Sequence, residues 1–399
     1  MSTTVFTRPL ELDSVADRAL RVATRLWFVV LLIGQLIFAF TVASFYSLTA
    51  WRGNLAAWNK ILAHGYTAGD PMGNFALILH IGSAVFIILA GLLQLIPRIR
   101  NRFPVLHRWL GRLYIGTAFS VSVAGLYLMW VRGTVGDLPQ HLGTSLMAAL
   151  IMIFAGMALR FAMARDFKTH RRWALRLYLT VSASLFIRAG IFFTILVNRG
   201  PFFFDAATFT GPFLTFISFA QYLIPLAVLE VYLYVQDHPG AMKRFAMAAA
   251  LFVLTLVMGA GIAGVTAAAF VPNIKKAFDS RTSSAETLSA TIKANGIDAA
   301  VAQYHSLKSG AAPNYNFDED ELNALGYQLL KAHKFNEAIR IFQLNTEAYP
   351  NSANTYDSLG EAYMDAGERP KAIANYEKSL QLNPKNANGA QMLKKLRKP

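Results

Sequence analysis

Phe75–Pro97 reads FALILHIGSAVFIILAGLLQLIP, with no Asp, Glu, Lys or Arg among its side chains. A helix rises ~1.5 Å per residue and the hydrocarbon core of a bilayer is ~30 Å thick, so about 20 apolar residues suffice to cross it. This stretch is that long. It carries a single ionisable group, His80. Six further stretches of similar length and character surround it: Leu26–Leu48, Gly111–Val131, Leu138–Ala164, Ala174–Val197, Pro212–Val235 and Phe245–Val271. The expected architecture is an all-α, polytopic transmembrane bundle of about seven helices followed by a soluble helical solenoid. The first stretch is too long for the apolar part of a signal peptide and is read as a retained helix.

Composition agrees with this reading. Of 399 residues, 54% are hydrophobic and 15% charged, against ~25% charged in an ordinary soluble protein. The formal charge is +15. It sits mainly in residues 1–271, with 22 Lys and Arg against 9 Asp and Glu, while residues 272–399 hold 16 against 14. The basic excess lies in short turns between apolar runs, which points to orientation in a lipid bilayer and away from nucleic acid. Cysteine is absent, which excludes disulfides and thiolate chemistry.

Short cytoplasmic loops collect Lys and Arg. With the N-terminus inside, the inner segments hold 17 such residues, among them Arg98, Arg100, Arg102, Arg108, Arg112, Arg165, Lys168, Arg171, Arg172 and Arg176. The short outer loops hold 4: Arg52, Lys60, Arg132 and Arg199. The bias orients the chain with a cytoplasmic N-terminal segment (1–25), a transmembrane domain (26–271), a linker (272–283) and a tail outside the cytoplasm (284–399). An odd number of spans is needed for this.

The tail repeats with a period of 34 residues. Leu325-Gly326 matches Leu359-Gly360, Ala338 matches Ala372, Phe342 matches Tyr376 and Pro350 matches Pro384. This resembles the tetratricopeptide pattern, in which each unit is two antiparallel helices. Two units cannot close a core, so Ala285–Lys308, turning at Asn295-Gly296, is expected to supply a degenerate first pair. Gly389–Lys398 is expected to add a capping helix, and Ser309–Asn316 a loop. The stretches Glu321–Tyr327 and Tyr356–Tyr363 also resemble the repeat tails of bacterial periplasmic penicillin-recognising serine hydrolases. That resemblance implies the same compartment and no hydrolase chemistry. Matching the repeat pattern puts Asp320, Asn323, Tyr327, Asn354, Asp357, Glu361 and Asp365 along an acidic groove for a protein or peptide partner. The alternative is that they are merely solvated helix faces.

The membrane half holds a pattern of histidines. His80 lies ~8 Å below the outer end of the second span at ~1.5 Å per residue. His141 opens the fourth span, where Asp137 and Pro139 mark the helix start. His107 and His170 precede the third and fifth spans at the inner face. The two hairpins are alike: Arg108-Trp109-Leu110-Gly111-Arg112-Leu113-Tyr114 parallels Arg172-Trp173-Ala174-Leu175-Arg176-Leu177-Tyr178. Neutral imidazole is a good axial ligand for haem iron, and bundles build such sites from facing helices. Pairing His80 with His141 and His107 with His170 would hold two b haems. The layout resembles the di-haem transmembrane cytochromes b in arrangement only, and would imply electron transfer. Against this, interfacial histidines also bind lipid headgroups or helix ends.

Arg188 lies mid-span within Leu185–Ile191 and costs at least ~2.5 kcal/mol to insert on translocon scales. It cannot lose its proton, so it calls for an anion, a haem propionate or a water-filled cavity, or it snorkels to the surface. Glu230 differs from it in depth by ~12 Å, which argues against a direct pair. His64 and Asp70 belong to a turn-rich outer loop. His80, the Leu106–Arg112 turn, His141, the His170–Trp173 turn and Arg188 together resemble the bacterial membrane family called domain of unknown function 2306, over about residues 70–235. The family supplies no activity. Three functional classes follow: a haem electron carrier with a partner-recruiting tail, a non-enzymatic scaffold presenting the repeats, and a sensor or carrier for a small anion.

Overall fold

The computed structural model describes residues 7–397, apart from 63, 206–207, 239 and 311–313. Residues 311–313 of the expected loop, Lys398 of the expected capping helix and the first six residues of the N-terminal segment therefore lie outside the described residues. The chain divides into two compact units, Met1–Phe278 and Asp279–Pro399.

The first unit is a bundle. Helix α1 runs Thr7–Trp51, and a 3-10 turn follows at Leu55–Lys60. Next come α2 (Pro71–Leu95), α3 (Pro97–Arg102) and α4 (Pro104–Tyr127), the last continued by a π-helical turn, Leu128–Arg132. Then come α5 (Leu138–Met163), α6 (Phe167–Val181), α7 (Ala183–Asn198) and α8 (Pro212–Asp237). Helix α9 (Ala241–Val265) passes through a second π turn, Thr266–Phe270, into α10 (Val271–Phe278). Among the described residues six helices are long and apolar enough to cross a membrane, and the pair α6–α7 makes a seventh if it is one crossing.

Three starts are set by local chemistry. Asp70, Asp137 and Asp166 each accept a hydrogen bond from a first-turn amide, at 2.8, 3.1 and 3.1 Å. Such caps satisfy amides that a helix start leaves orphaned.

Two elements differ from the sequence expectation. The fifth span is not a straight helix over Ala174–Val197. It is α6 and α7, bent by 48° at Ser182. Thr180 donates to the Arg176 carbonyl at 2.9 Å and Ser182 to that of Tyr178 at 2.8 Å. Such back-bonding competes for ladder carbonyls and bends helices. Helix α1 begins at Thr7 rather than near residue 26, so it is ~68 Å long and outreaches the ~30 Å core. Its extension is held by packing: Leu20 and Ala23 bury against Met247 and Leu251 of α9, and Asp17 pairs with Arg244 at 3.0 Å. Of the glycines in α9, Gly261 is the one that packing demands. A Cβ there would sit 2.1 Å from the Ala189 carbonyl oxygen of α7.

The second unit opens with a two-residue parallel pairing of β1 (Thr282–Ser283) with β2 (Tyr315–Asn316) around α11 (Ser284–Asn295) and α12 (Ile297–Gly310). The reverse turn between α11 and α12 falls at Gly296, whose φ of 86° suits glycine. Then follow α13 (Glu319–Lys331), α14 (Phe335–Ala348), α15 (Ala353–Asp365), α16 (Arg369–Leu382) and α17 (Ala387–Leu396). One core runs through all of them: Leu288 and Tyr304 from the first pair, Leu325 and Phe342 from the second, Ala362 and Tyr376 from the third. The first helix of each later pair carries the glycine, and the second carries the ring that packs on it. Phe342 covers Gly326 and Tyr376 covers Gly360.

Candidate functional site

Loop connectivity gives the bundle an arginine-rich end, at the α2–α4 and α5–α6 turns, and an arginine-poor end, at the α4–α5 turn. His80 and His141 belong to the poor end. Because α2 begins at Pro71, His80 lies nine residues, ~14 Å, into its helix. His141 is in the first turn of α5. The His80 Nδ1 is 3.1 Å from the Val121 carbonyl of α4, and its ring lies over Gly125. The His141 Nε2 is 3.4 Å from both the Thr134 hydroxyl and the Val135 carbonyl, and its ring meets Trp130 edge-on at 5.7 Å. No hydrogen bond or ring contact joins the two imidazoles, and each keeps its own set of neighbours.

His107 and His170 occupy matching places, each the fourth residue of its helix. The His170 Nδ1 is 2.8 Å from the Ala158 carbonyl. The His107 Nδ1 is buried without a hydrogen-bond partner among the described residues. The ring lies within electrostatic reach of His170 and Arg100. His107 and His170 are thus within electrostatic reach of each other, and His80 and His141 each contact a different backbone carbonyl.

Arg188, on α7, donates to the Ser184 carbonyl at 2.5 Å, and its guanidinium lies 4.8 Å from the ring centroid of Phe38, which stacks on Phe270. Tyr46 and His80 are within electrostatic reach. Among the described residues no carboxylate pairs with it. Glu230 is taken by Arg176, in a two-pronged pair at 2.7 and 2.8 Å, and Asp237 by Arg172 at 2.6 Å. At the arginine-poor end Arg132 reaches Asp70 at 3.3 Å and donates to the Gly73 carbonyl and Asn74 at 2.9 Å. Asp70 is thus a helix cap and an ion-pair partner, which accounts for the loop that holds it and His64.

Sequence reasoning missed a pair of tyrosines. Tyr114 and Tyr178 end the two matching Arg-Trp stretches, and both pack on Gly91 of α2, where a Cβ would lie 3.1 and 3.2 Å from their rings. Both are buried, and the Tyr114 hydroxyl has no partner among the described residues. The internal repeat was the available signal, since it aligns the two residues.

In the tail the groove positions lie on α13 and α15. The Tyr327 hydroxyl donates to Glu361 at 2.8 Å and approaches Ser358 at 3.2 Å. Asn354 donates to Glu319 at 2.9 Å. Asp357 accepts from Asn386 and Asn388, at 2.7 and 2.9 Å, which ties α17 to α15. Asp320 and Asp365 are exposed, and Asn323 is half-buried with its side-chain oxygen unpartnered. Burial pushes the Glu361 carboxyl above the usual glutamate range, opposed by the Tyr327 hydrogen bond, with Asp365 and Asp357 adding to the rise. Among the described residues no Lys or Arg pairs with Asp320, Asp357, Glu361 or Asp365.

These features define a multi-pass helical membrane protein that carries a repeat domain. Residues 77–233 match the family described as predicted membrane protein (DUF2306), and residues 353–386 match the tetratricopeptide repeat. The chain thus carries a region matching that membrane family, followed by a tail matching the tetratricopeptide repeat. No curated protein matches it. The family match spans all four of His80, His107, His141 and His170, together with Arg188.

Proposed function

We propose that the chain is a membrane-anchored recruiter, whose bundle holds the tail at the periplasmic face of the bacterial inner membrane while the groove captures a basic, extended segment of a partner protein. One observation carries this. Glu361 is half-buried between Asp357 and Asp365, and no cation of the described chain neutralises the group. A Lys or Arg from a partner would relieve that repulsion and form charge-assisted hydrogen bonds. The location rests on the 17-to-4 bias of basic residues and on counting α6–α7 as one crossing. The test is fluorescence anisotropy of the tail, 279–399, with labelled ten-residue peptides rich in Lys and Arg or in Glu. Basic peptides are expected to bind, more weakly at high salt, and Glu361→Lys to weaken binding at least tenfold. Equal binding of acidic peptides would refute the proposal.

A b-type haem serving electron transfer is a second reading, favoured by the inner pair. His107 lies within electrostatic reach of His170, and the Nδ1 contact to Ala158 orients the His170 ring with Nε2 left over. A hydrogen bond of that kind on the other ring nitrogen is what fixes ligating imidazoles. His107 and His170 would hold the iron, which would supply one-electron chemistry. A pyridine haemochrome assay on protein expressed with haem precursor decides: His107→Ala and His170→Ala should each remove the signal. Folded, pure wild type free of haem would end this reading.

A further inference from the structure

A cavity of about 140 Å³ lies at the arginine-poor end of the bundle, between the start of α5, the start of α8 and α7. Its polar wall includes Gln140, His141 and Ser218, and its apolar wall Met129, Ile187 and Leu214. Three independent features mark it. Gln140 is 7% exposed, yet its side-chain nitrogen has no hydrogen-bond partner among the described residues. Its amide oxygen lies beside Gly136, where a Cβ would be 2.6 Å away, which limits the room for the side chain to turn. A buried donor left unmet carries its desolvation cost uncompensated, and a ligand acceptor would recover it. Met129 belongs to the π-helical turn, a distortion frequent at functional sites. Phe209, at the rim, holds a φ of 55°, which an aromatic residue adopts only when its surroundings impose it.

The lining defines the ligand. Among the described residues no Asp, Glu, Lys or Arg borders the cavity. A charged guest would lose its water with no counter-charge to replace it. The volume is close to the ~150 Å³ that admits one benzene ring. Ser218 donates to the Thr215 carbonyl at 2.7 Å, whereas the Gln140 side-chain nitrogen is the buried lining donor left without a partner among the described residues. We infer that this cavity is a binding site for a neutral, single-ring molecule bearing a carbonyl oxygen, with the carbonyl on Gln140 Nε2 and the ring against Met129, Ile187 and Leu214. It involves neither the tail groove nor the His107–His170 pair.

The test uses the full chain in lipid nanodiscs and saturation-transfer NMR, with cyclohexanone as the neutral probe and benzoate as a charged ring of similar size. Empty nanodiscs give the lipid background. Saturable binding of cyclohexanone above that background is expected, with none for benzoate. Gln140→Leu keeps the volume and removes the donor, and Ile187→Trp fills the space and leaves Gln140 in place. Each should weaken cyclohexanone binding at least tenfold. If one variant fails to fold, the other still decides. Wild type indistinguishable from empty nanodiscs, benzoate binding in place of cyclohexanone, or unchanged binding in the folded variants would overturn the assignment.

Discussion

The two repeat glycines are equivalent in sequence and unequal in space, and the difference can be measured. A Cβ on Gly326 would lie 2.5 Å from two ring atoms of Phe342 and 2.8 Å from a third, and that ring is fully buried. A Cβ on Gly360 would lie 3.2–3.3 Å from the Tyr376 ring. Overpacking a tight core costs ~1–3 kcal/mol, while replacing glycine by alanine inside a helix returns about 1 kcal/mol. Gly326→Ala must move a ring that has nowhere to go, so the net loss should be ~1–2 kcal/mol. Gly360→Ala asks a ring to yield by a few tenths of an ångström, and its two effects should cancel to within ~0.5 kcal/mol. For a domain of this size 1 kcal/mol moves Tm by roughly 3–6 °C. Circular dichroism melts of the tail, 279–399, should therefore show Gly326→Ala lower by ~3–12 °C and Gly360→Ala within ~3 °C of wild type. Adding Phe342→Leu should make the Gly326→Ala penalty smaller, because the clash has one named partner. A Gly360→Ala loss equal to or larger than that of Gly326→Ala would refute the packing argument.

Glu361→Gln should raise the tail's Tm at pH 7, because the folded state raises this carboxyl and so disfavours its ionised form. The gain should fade as the pH falls towards about 4, the ordinary glutamate value, as followed by melts across pH. Arg188→Leu should leave membrane yield unchanged or higher, since insertion becomes easier, and should abolish any stabilisation of the purified protein by small anions in a thermal shift assay. Anion stabilisation that survives the change would place the site elsewhere. Alkaline phosphatase fused at the C-terminus should be active and a cytoplasmic reporter inactive. The reverse would mean that α6–α7 dips into the bilayer and returns.

The spans were legible because a bilayer imposes a length and an apolar content that any sequence must meet. The repeats were legible because a fixed period survives substitution: Phe342 and Tyr376 differ in chemistry but sit 34 residues apart. What depended on which neighbour a side chain chooses was hidden. Thr180 and Ser182 look like ordinary span residues until their hydroxyls turn back onto the helix. The start of α2, four residues before the apolar run, puts His80 further into its helix than the apolar run suggests. The early start had a signal, Asp70 before Pro71. Glu230 was rightly doubted as the partner of Arg188, but its true partner, Arg176, became visible only with α6 and α8 side by side. In the groove, the acidic row was readable from the repeat, while the engagement of Asp357 by Asn386 and Asn388 was not, because that contact crosses from α15 to the capping helix.

The central claim is that the groove of the membrane-anchored tail takes a protein partner, and photo-crosslinking in intact cells tests it most directly. A benzophenone amino acid is placed in the full-length chain at Asn323 or Asp365 in the groove, and at Lys378, exposed on α16, as the control. Asn323 and Asp365 are expected to give the same discrete adduct, absent at Lys378 and lost when Glu361→Lys is added. The adduct peptide should carry clustered Lys or Arg. Groove positions that give no adduct, or the same products as Lys378, would contradict the account.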